Sequence, residues 1–206
     1  FRSNYSIQNK FVNDMFSQIN TSMDQQSFSH GQTQSKLWLC ENIEPLLPNN
    51  AVVAILGCWY NMLGFMLITR NQDYYQHVLG LDIASEAITG ANTLCEGYMF
   101  GYGTTKINNK CADANTYNLQ GYNVVINCST EHMTNEWFDN IDPNALVCLQ
   151  TSDLDNQEEP WLISNPTKSL DEFVAKYPMR EILYSGSKFF QYPDVSYNRH
   201  MIIGRK

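Results

Sequence analysis

Charge is scarce in this chain and unevenly split: 17% of its 206 residues are Asp, Glu, Lys or Arg, and 21 acids against 13 bases leave a formal net charge of −8. Such a surface repels phosphate backbones, so nucleic acid is a disfavoured partner unless a basic patch forms locally. The few candidates for one, Lys106, Lys110, Arg199, Arg205 and Lys206, read as scattered solvated charges. The six cysteines include no C-x-x-C pair and mostly lie inside apolar runs, which argues against a secreted disulfide scaffold and for reduced core thiols in a cytoplasmic protein. No apolar run suits a bilayer span, because the longest, 51–69, is interrupted by Gly57, Asn61 and Gly64 and ends at Arg70, so no membrane association is expected. Motifs are missing too. The four histidines show no HxH or HExxH spacing for a metal, no G-x-S-x-G marks a serine hydrolase, and no GK[ST] follows Gly57 to make a phosphate loop. A dinucleotide site is disfavoured by the absence of G-x-G-x-x-G.

What is present is an ordinary core composition, 43% hydrophobic and 13% aromatic, in a length suited to one domain. Residues 1–35 read as an N-terminal extension, a helix carrying Phe11, Val12, Met15, Phe16 and Ile19 followed by a polar linker over 24–35. Such an extension either lies across a ligand mouth or packs as a plain helix. Residues 36–206 read as an α/β domain. A helix over 36–47, interrupted or ended by Pro45, leads to an uninterrupted apolar strand at 51–56 of the kind covered on both faces. A crossover helix over 61–69, a second strand ending at Asp82, and a helix opened by Ser85 and Glu86 follow. Further strands are expected at 104–113, 121–127 and 144–151, with a helix over 131–141 whose Met133, Trp137 and Ile141 share a face. Ser169 and Glu172 form a capping-box pair ahead of a short helix, and two strands, 181–190 and 199–204, close the sheet as an antiparallel hairpin.

The run from 51 to 83 has the order strand, turn, helix, strand, carboxylate, which is the layout of a nucleoside-binding α/β unit. Gly57 lets a ligand approach the backbone, and Asp82, 25 residues further on, stands near the spacing at which an acid accepts from both ribose hydroxyls. Asp82 reads equally as the cap of the helix that follows. Glu131 and His132, just beyond the fourth strand, suit a general base, and they also suit a helix start.

Seven strands with a terminal hairpin resemble the class I S-adenosylmethionine-dependent methyltransferases, a Rossmann-like and mostly parallel fold. The runs Asn127-Cys-Ser-Thr-Glu-His-Met133, Leu149-Gln-Thr-Ser152, Leu170-Asp-Glu-Phe173, Ile182-Leu-Tyr-Ser-Gly186 and Arg199-His-Met-Ile-Ile-Gly204 are similar to methyltransferase-like proteins of tailed bacteriophages. The resemblance covers residue 36 to the end and implies a fold and a cofactor, S-adenosyl-L-methionine, and for a phage protein a place in the host cytoplasm. It places Gly57, Asp82 and Ile83 against the cofactor, Asp113 and Ala114 at its adenine, and Asn127 facing its methyl group. The turn departs from the family, since Gly57-Cys-Trp-Tyr-Asn61 stands where several glycines are usual. Trp59 and Tyr60 either line the pocket, where an aromatic face stabilises a sulfonium, or pack in the core. Three functions stay open: methyl transfer to a small molecule, nucleoside or protein side chain; another reaction of the same cofactor, lyase or aminocarboxypropyl transfer; and a binding module without turnover.

Overall fold

The structure, a computed structural model, describes residues 29–102, 106–155, 157, 162–192 and 195–206. The helix expected around Phe11–Ile19 lies outside them. The described chain forms one mixed sheet with strand order β3-β2-β1-β4-β5-β7-β6. The strands are β1 (Ala51–Leu56), β2 (Tyr75–Asp82), β3 (Ile107–Cys111), β4 (Val124–Asn127), β5 (Leu146–Ser152), β6 (Glu181–Gln191) and β7 (Ser196–Arg205). The first five pair in parallel, and β7 inserts antiparallel between β5 and β6. The expected Rossmann-like α/β architecture with its terminal hairpin is therefore the observed one. Helices α1 (His30–Ile43), α2 (Met62–Asn71), α3 (Ser85–Tyr102), α4 (Glu136–Asp139) and α5 (Leu170–Lys176) complete it.

Both faces of the sheet are covered because apolar residues occupy both parities of the central strands. Val53 and Ile55 of β1 join Leu39, Cys40, Ile43, Leu63 and Leu67 on the face of α1 and α2, while Ala54 and Leu56 join Trp137, Phe138, Phe173 and Tyr177 on the other. The ends of α1 and α2 are tied by a bidentate ion pair, with Arg70 Nε and Nη2 donating to Glu44 at 2.5 and 2.9 Å. Among the described residues no helix is long and apolar enough to cross a membrane.

Three local expectations change. Helix α1 begins at His30, capped by Ser29 Oγ, so residues 30–35 are helix rather than linker. The helix expected over 131–141 is broken into a 3-10 turn (Thr130–His132) and the short α4. Carbonyls that a continuous helix would use internally are taken from outside it. Glu131 O accepts from the N–H groups of Ser164 and Asn165, and Asn165 Nδ2 donates to Thr130 O and Met133 O. The capping pair is also rearranged. Glu172 N donates to Ser169 Oγ as expected, but the Glu172 carboxylate reaches past Ser169 to the N–H of Lys168.

Candidate active site

The chain runs from β1 outward to β2 and β3 on one side, then returns to β4 on the other, so a crevice opens at the carboxyl ends of β1 and β4. There lies a cleft of about 620 Å³, within the usual range for a small-molecule site.

Its floor is the turn after β1. Gly57 has φ +59°, and a Cβ built on it would stand 2.9 Å from Ser129 Cβ and 3.0 Å from Met133 Cε, so both backbone and space demand glycine. Trp59 and Asn61 are also left-handed, with φ of 52° and 51°. Three alternate positions of the turn are thus left-handed, with strain of about 1–2 kcal/mol at Trp59. Neighbours hold that strain in place. Asp82 Oδ2 accepts from Trp59 N–H at 2.7 Å, and the Trp59 ring stacks on Tyr60 with centroids 5.7 Å apart. Tyr60 packs with Ala87 and Leu94 of α3, and Trp59 lies against that cluster. Both aromatics border the cleft as well.

Fully buried Asn61 caps α2, its Oδ1 accepting from Gly64 N–H at 3.1 Å, while its Nδ2 donates to Asn109 Oδ1 at 2.7 Å. Gly80 on β2 makes room for this contact: a Cβ there would lie 2.6 Å from Asn61 Nδ2. The composition of the turn did not announce this support.

Asp82 both caps and lines. Its Oδ1 accepts from Ala84 N–H at 3.0 Å at the entry to α3, and its side chain faces the cleft beside Ile83, an isoleucine left 74% exposed. Asp113 and Ala114 line the same end, and Asp113 Oδ1 is engaged by the N–H of Asn115 in a local turn. Asn127 departs from expectation. Its side chain is fully buried, with Oδ1 accepting from Ser129 N–H at 2.8 Å and Nδ2 against Met133 Sδ at 3.2 Å. It shapes the turn, while Cys128 and Ser129 reach the cleft.

Glu131 and His132 line the other end. Glu131 is 3% exposed; Ser152 Oγ donates to its Oε1 at 3.3 Å, and Oε2 has no partner among the described residues. His132 Nδ1 lies 2.9 Å from Leu162 O, and since a carbonyl only accepts, Nδ1 carries the proton and Nε2 the lone pair in the neutral ring. Beside them stand three groups not expected from sequence: Gln32 and Lys36 on one face of α1, and Arg199 on β7. Lys36 Nζ donates to Gln32 Oε1 at 2.7 Å. Burial pushes the Lys36 pKa down to about 8, with the nearby Arg199 guanidinium acting in the same direction and Cys128 against it. Burial also pushes the Cys128 thiol up to about 11. Arg199 is 6% exposed and far from a scattered surface charge; strand alternation puts it on the same face as Met201 and Ile203, which was the one sequence signal available. Among the described residues no group of three or more His, Cys, Asp or Glu is arranged to hold a metal.

Comparison with solved structures identifies the architecture. The N-methyltransferase NodS of Bradyrhizobium japonicum WM9, in complex with S-adenosyl-L-homocysteine, superposes with a TM-score of 0.66 over 95% of this chain and 99% of its own, at 9% identity. The fold is the Rossmann-like methyltransferase fold. Geranyl diphosphate C-methyltransferase of Streptomyces coelicolor A3(2), with Mg2+, geranyl diphosphate and S-adenosyl-L-homocysteine, matches at 0.59 and 10% identity over 84% of this chain and 77% of that one. The [4+2]-cyclase SpnF matches at 0.58 and 13% identity over 90% and 73%. No family model and no curated protein matches the chain, and the likeness to bacteriophage proteins gains no support from these comparisons.

Proposed function

We propose that the protein is an S-adenosylmethionine-dependent methyltransferase acting on a small molecule, a nucleoside or a protein side chain. The observation that carries this reading is the cleft itself, floored by left-handed Gly57 at the end of β1 and bordered by Asp82 at the end of β2. These residues fit the cofactor. With the cofactor bound, Asp82 would accept from the ribose hydroxyls, Ile83 and Ala114 would border the adenine, Asp113 would accept from its amino group, and the turn 57–60 would carry the amino-acid portion. When bound, the cofactor supplies a methyl group on a sulfonium sulfur, an electrophile already activated.

The protein's part is then chiefly positioning, because methyl transfer needs in-line approach of the nucleophile. Glu131 Oε2 is the first choice for the base, since it is buried, lines the cleft and has an open acceptor position, and Ser152 orients the carboxylate through the other oxygen. His132 Nε2 is the second, with its tautomer set by Leu162 O. Either group takes the proton that an amine or hydroxyl nucleophile loses.

A different reaction of the same cofactor is a second reading, favoured by the strained Trp59 where glycine is usual. The neighbour SpnF is a cyclase, so the fold alone does not settle the reaction. A binding module without turnover is the third reading; the cleft, with Trp59 laid against Tyr60, retains about 620 Å³, which speaks against a filled and inert site.

Calorimetry with S-adenosylhomocysteine and mass spectrometry of products after incubation with S-adenosylmethionine test the proposal. Binding, with S-adenosylhomocysteine as product, supports it. Methylthioadenosine as product favours the second reading, and no binding at about millimolar ligand, barely −4 kcal/mol, overturns both.

A further inference from the structure

The end of the cleft away from Asp82 is built from three elements distant in sequence: α1 contributes Lys36, the turn after β4 contributes Glu131, and β7 contributes Arg199. Two of these side chains are more than nine-tenths buried and keep an unpartnered polar atom among the described residues, Glu131 Oε2 and Arg199 Nε. Opposite charges so placed would normally pair, yet no ion pair joins Glu131 to Arg199 or Lys36 among the described residues. Neutral groups meet these charges only in part, Gln32 at Lys36, Ser152 at Glu131 and the Tyr197 ring 5.8 Å from the Arg199 guanidinium, and the two cations and one carboxylate border the same cleft. That arrangement is complementary to a ligand carrying both an anionic group and a hydrogen-bond donor.

The cofactor's own amino-acid tail is the rival occupant, and the affinity of the charge variants for S-adenosylhomocysteine separates the two.

Resting on the methyltransferase reading, we propose that this end of the cleft is the acceptor subsite and that the acceptor is a small molecule with a carboxylate or phosphate, held by Arg199 and Lys36, a few bonds from an amine presented to Glu131. Arg199 grips the anion through charge-assisted hydrogen bonds, Lys36 adds a second cation from α1, and Glu131 accepts from the nucleophile's N–H. Gln32, already bonded to Lys36 Nζ, orients that ammonium. The anion also fixes which end of the acceptor points inward.

The test uses paired probes that differ in their anionic group: β-alanine against β-alaninamide for a carboxylate, and phosphoethanolamine against ethanolamine for a phosphate. Each is titrated by calorimetry into the full chain with and without saturating S-adenosylhomocysteine, and the same cofactor product is titrated alone. At least one anionic probe should bind at least about tenfold more tightly than its neutral partner, one charge-assisted bond's worth. Arg199→Met and Lys36→Met should each remove most of that preference while leaving S-adenosylhomocysteine affinity within about twofold, less than one hydrogen bond. Lys36 is half-buried on a helix, so its variant keeps the test alive if Arg199→Met fails to fold. Three results overturn the proposal: no anionic probe binds at about 10 mM, beyond the millimolar range of such fragments; charge makes no difference; or the variants weaken S-adenosylhomocysteine as much as the anion, which would give the cations to the cofactor's tail. Failure of S-adenosylhomocysteine to bind the unaltered protein, with the anion preference intact, counts against the methyltransferase reading instead.

Discussion

Replacing Asp82 by asparagine separates the carboxylate's two duties. In the folded protein Oδ2 accepts from Trp59 N–H at 2.7 Å and Oδ1 from Ala84 N–H at 3.0 Å. Each oxygen keeps a further lone pair, enough for the two donors of a vicinal diol. The amide of Asp82→Asn retains one such oxygen, loses the charge, and turns an NH2 either toward a backbone N–H or toward the diol. Two charge-assisted bonds of about 1.5–3 kcal/mol each then become one neutral bond of ~1 kcal/mol, so the loss in binding is about 2–5 kcal/mol. That corresponds to roughly 30- to 4,000-fold weaker S-adenosylhomocysteine binding by calorimetry. The orphaned N–H near Trp59 costs a further ~1–2 kcal/mol of folding, a drop of about 2–8 °C in Tm for a chain of this size. A 2′-deoxy analogue of the ligand should lose affinity for the unaltered protein and almost none for Asp82→Asn. If the variant binds S-adenosylhomocysteine within about threefold of the unaltered protein, less than one neutral hydrogen bond, the ribose assignment is refuted. A Tm loss alone would then leave Asp82 as a cap and nothing more.

Gly57→Ala puts a Cβ at 2.9 Å from Ser129 Cβ in a left-handed residue, so it should destabilise by about 1–3 kcal/mol in urea titration and weaken the cofactor product further. Asn61→Ala removes the cap of α2 and strands Asn109 Oδ1, with an expected cost of about 3–5 kcal/mol by chemical denaturation; Asn61→Gly should recover only the ~1 kcal/mol of backbone strain. Glu131→Gln should lower kcat far more than it raises KM for an amine acceptor, and a kcat within about twofold of the unaltered enzyme's would remove Glu131 as the base, since general bases contribute at least about a hundredfold. Alkaline pH should destabilise the fold. Burial pushes the Cys40 thiol up to about 12 and Cys128 to about 11, so the folded state holds protons that the unfolded chain releases from about pH 9, and that stability fades as pH rises toward the folded values. Lys36 works the other way, since its folded pKa near 8 lies below the unfolded one and stability rises with pH above it. Urea titrations between about pH 8 and pH 10.5, repeated with Cys128→Ala, should show a shallower decline in the variant.

Much of the frame was legible because it depends on near neighbours. The unbroken apolar runs of β1 and β4, the acid closing β2, the Ser169 cap and the terminal hairpin each announce themselves within a few residues. Nine of the ten residues marked as candidates line one cleft, because strand ends converge at a topological switch point whatever the details of their side chains. The exception, Asn127, shows the limit: it ends β4, but local hydrogen bonds to Ser129 and Met133 hold the side chain buried. The expected helix over 131–141 failed for a related reason, since Ser164 and Asn165 claim its carbonyls from about 30 residues away.

The sequence by itself determined the layering of the fold and the ends of the strands where a ligand belongs, since periodicity and turn chemistry act locally. Only the tertiary structure decided the rest: that the turn Gly-Cys-Trp-Tyr-Asn is left-handed at three alternate residues, and that Lys36, Glu131 and Arg199 border one space. Those three residues span 163 positions of chain, and no local rule states which charges the sheet order will bring face to face.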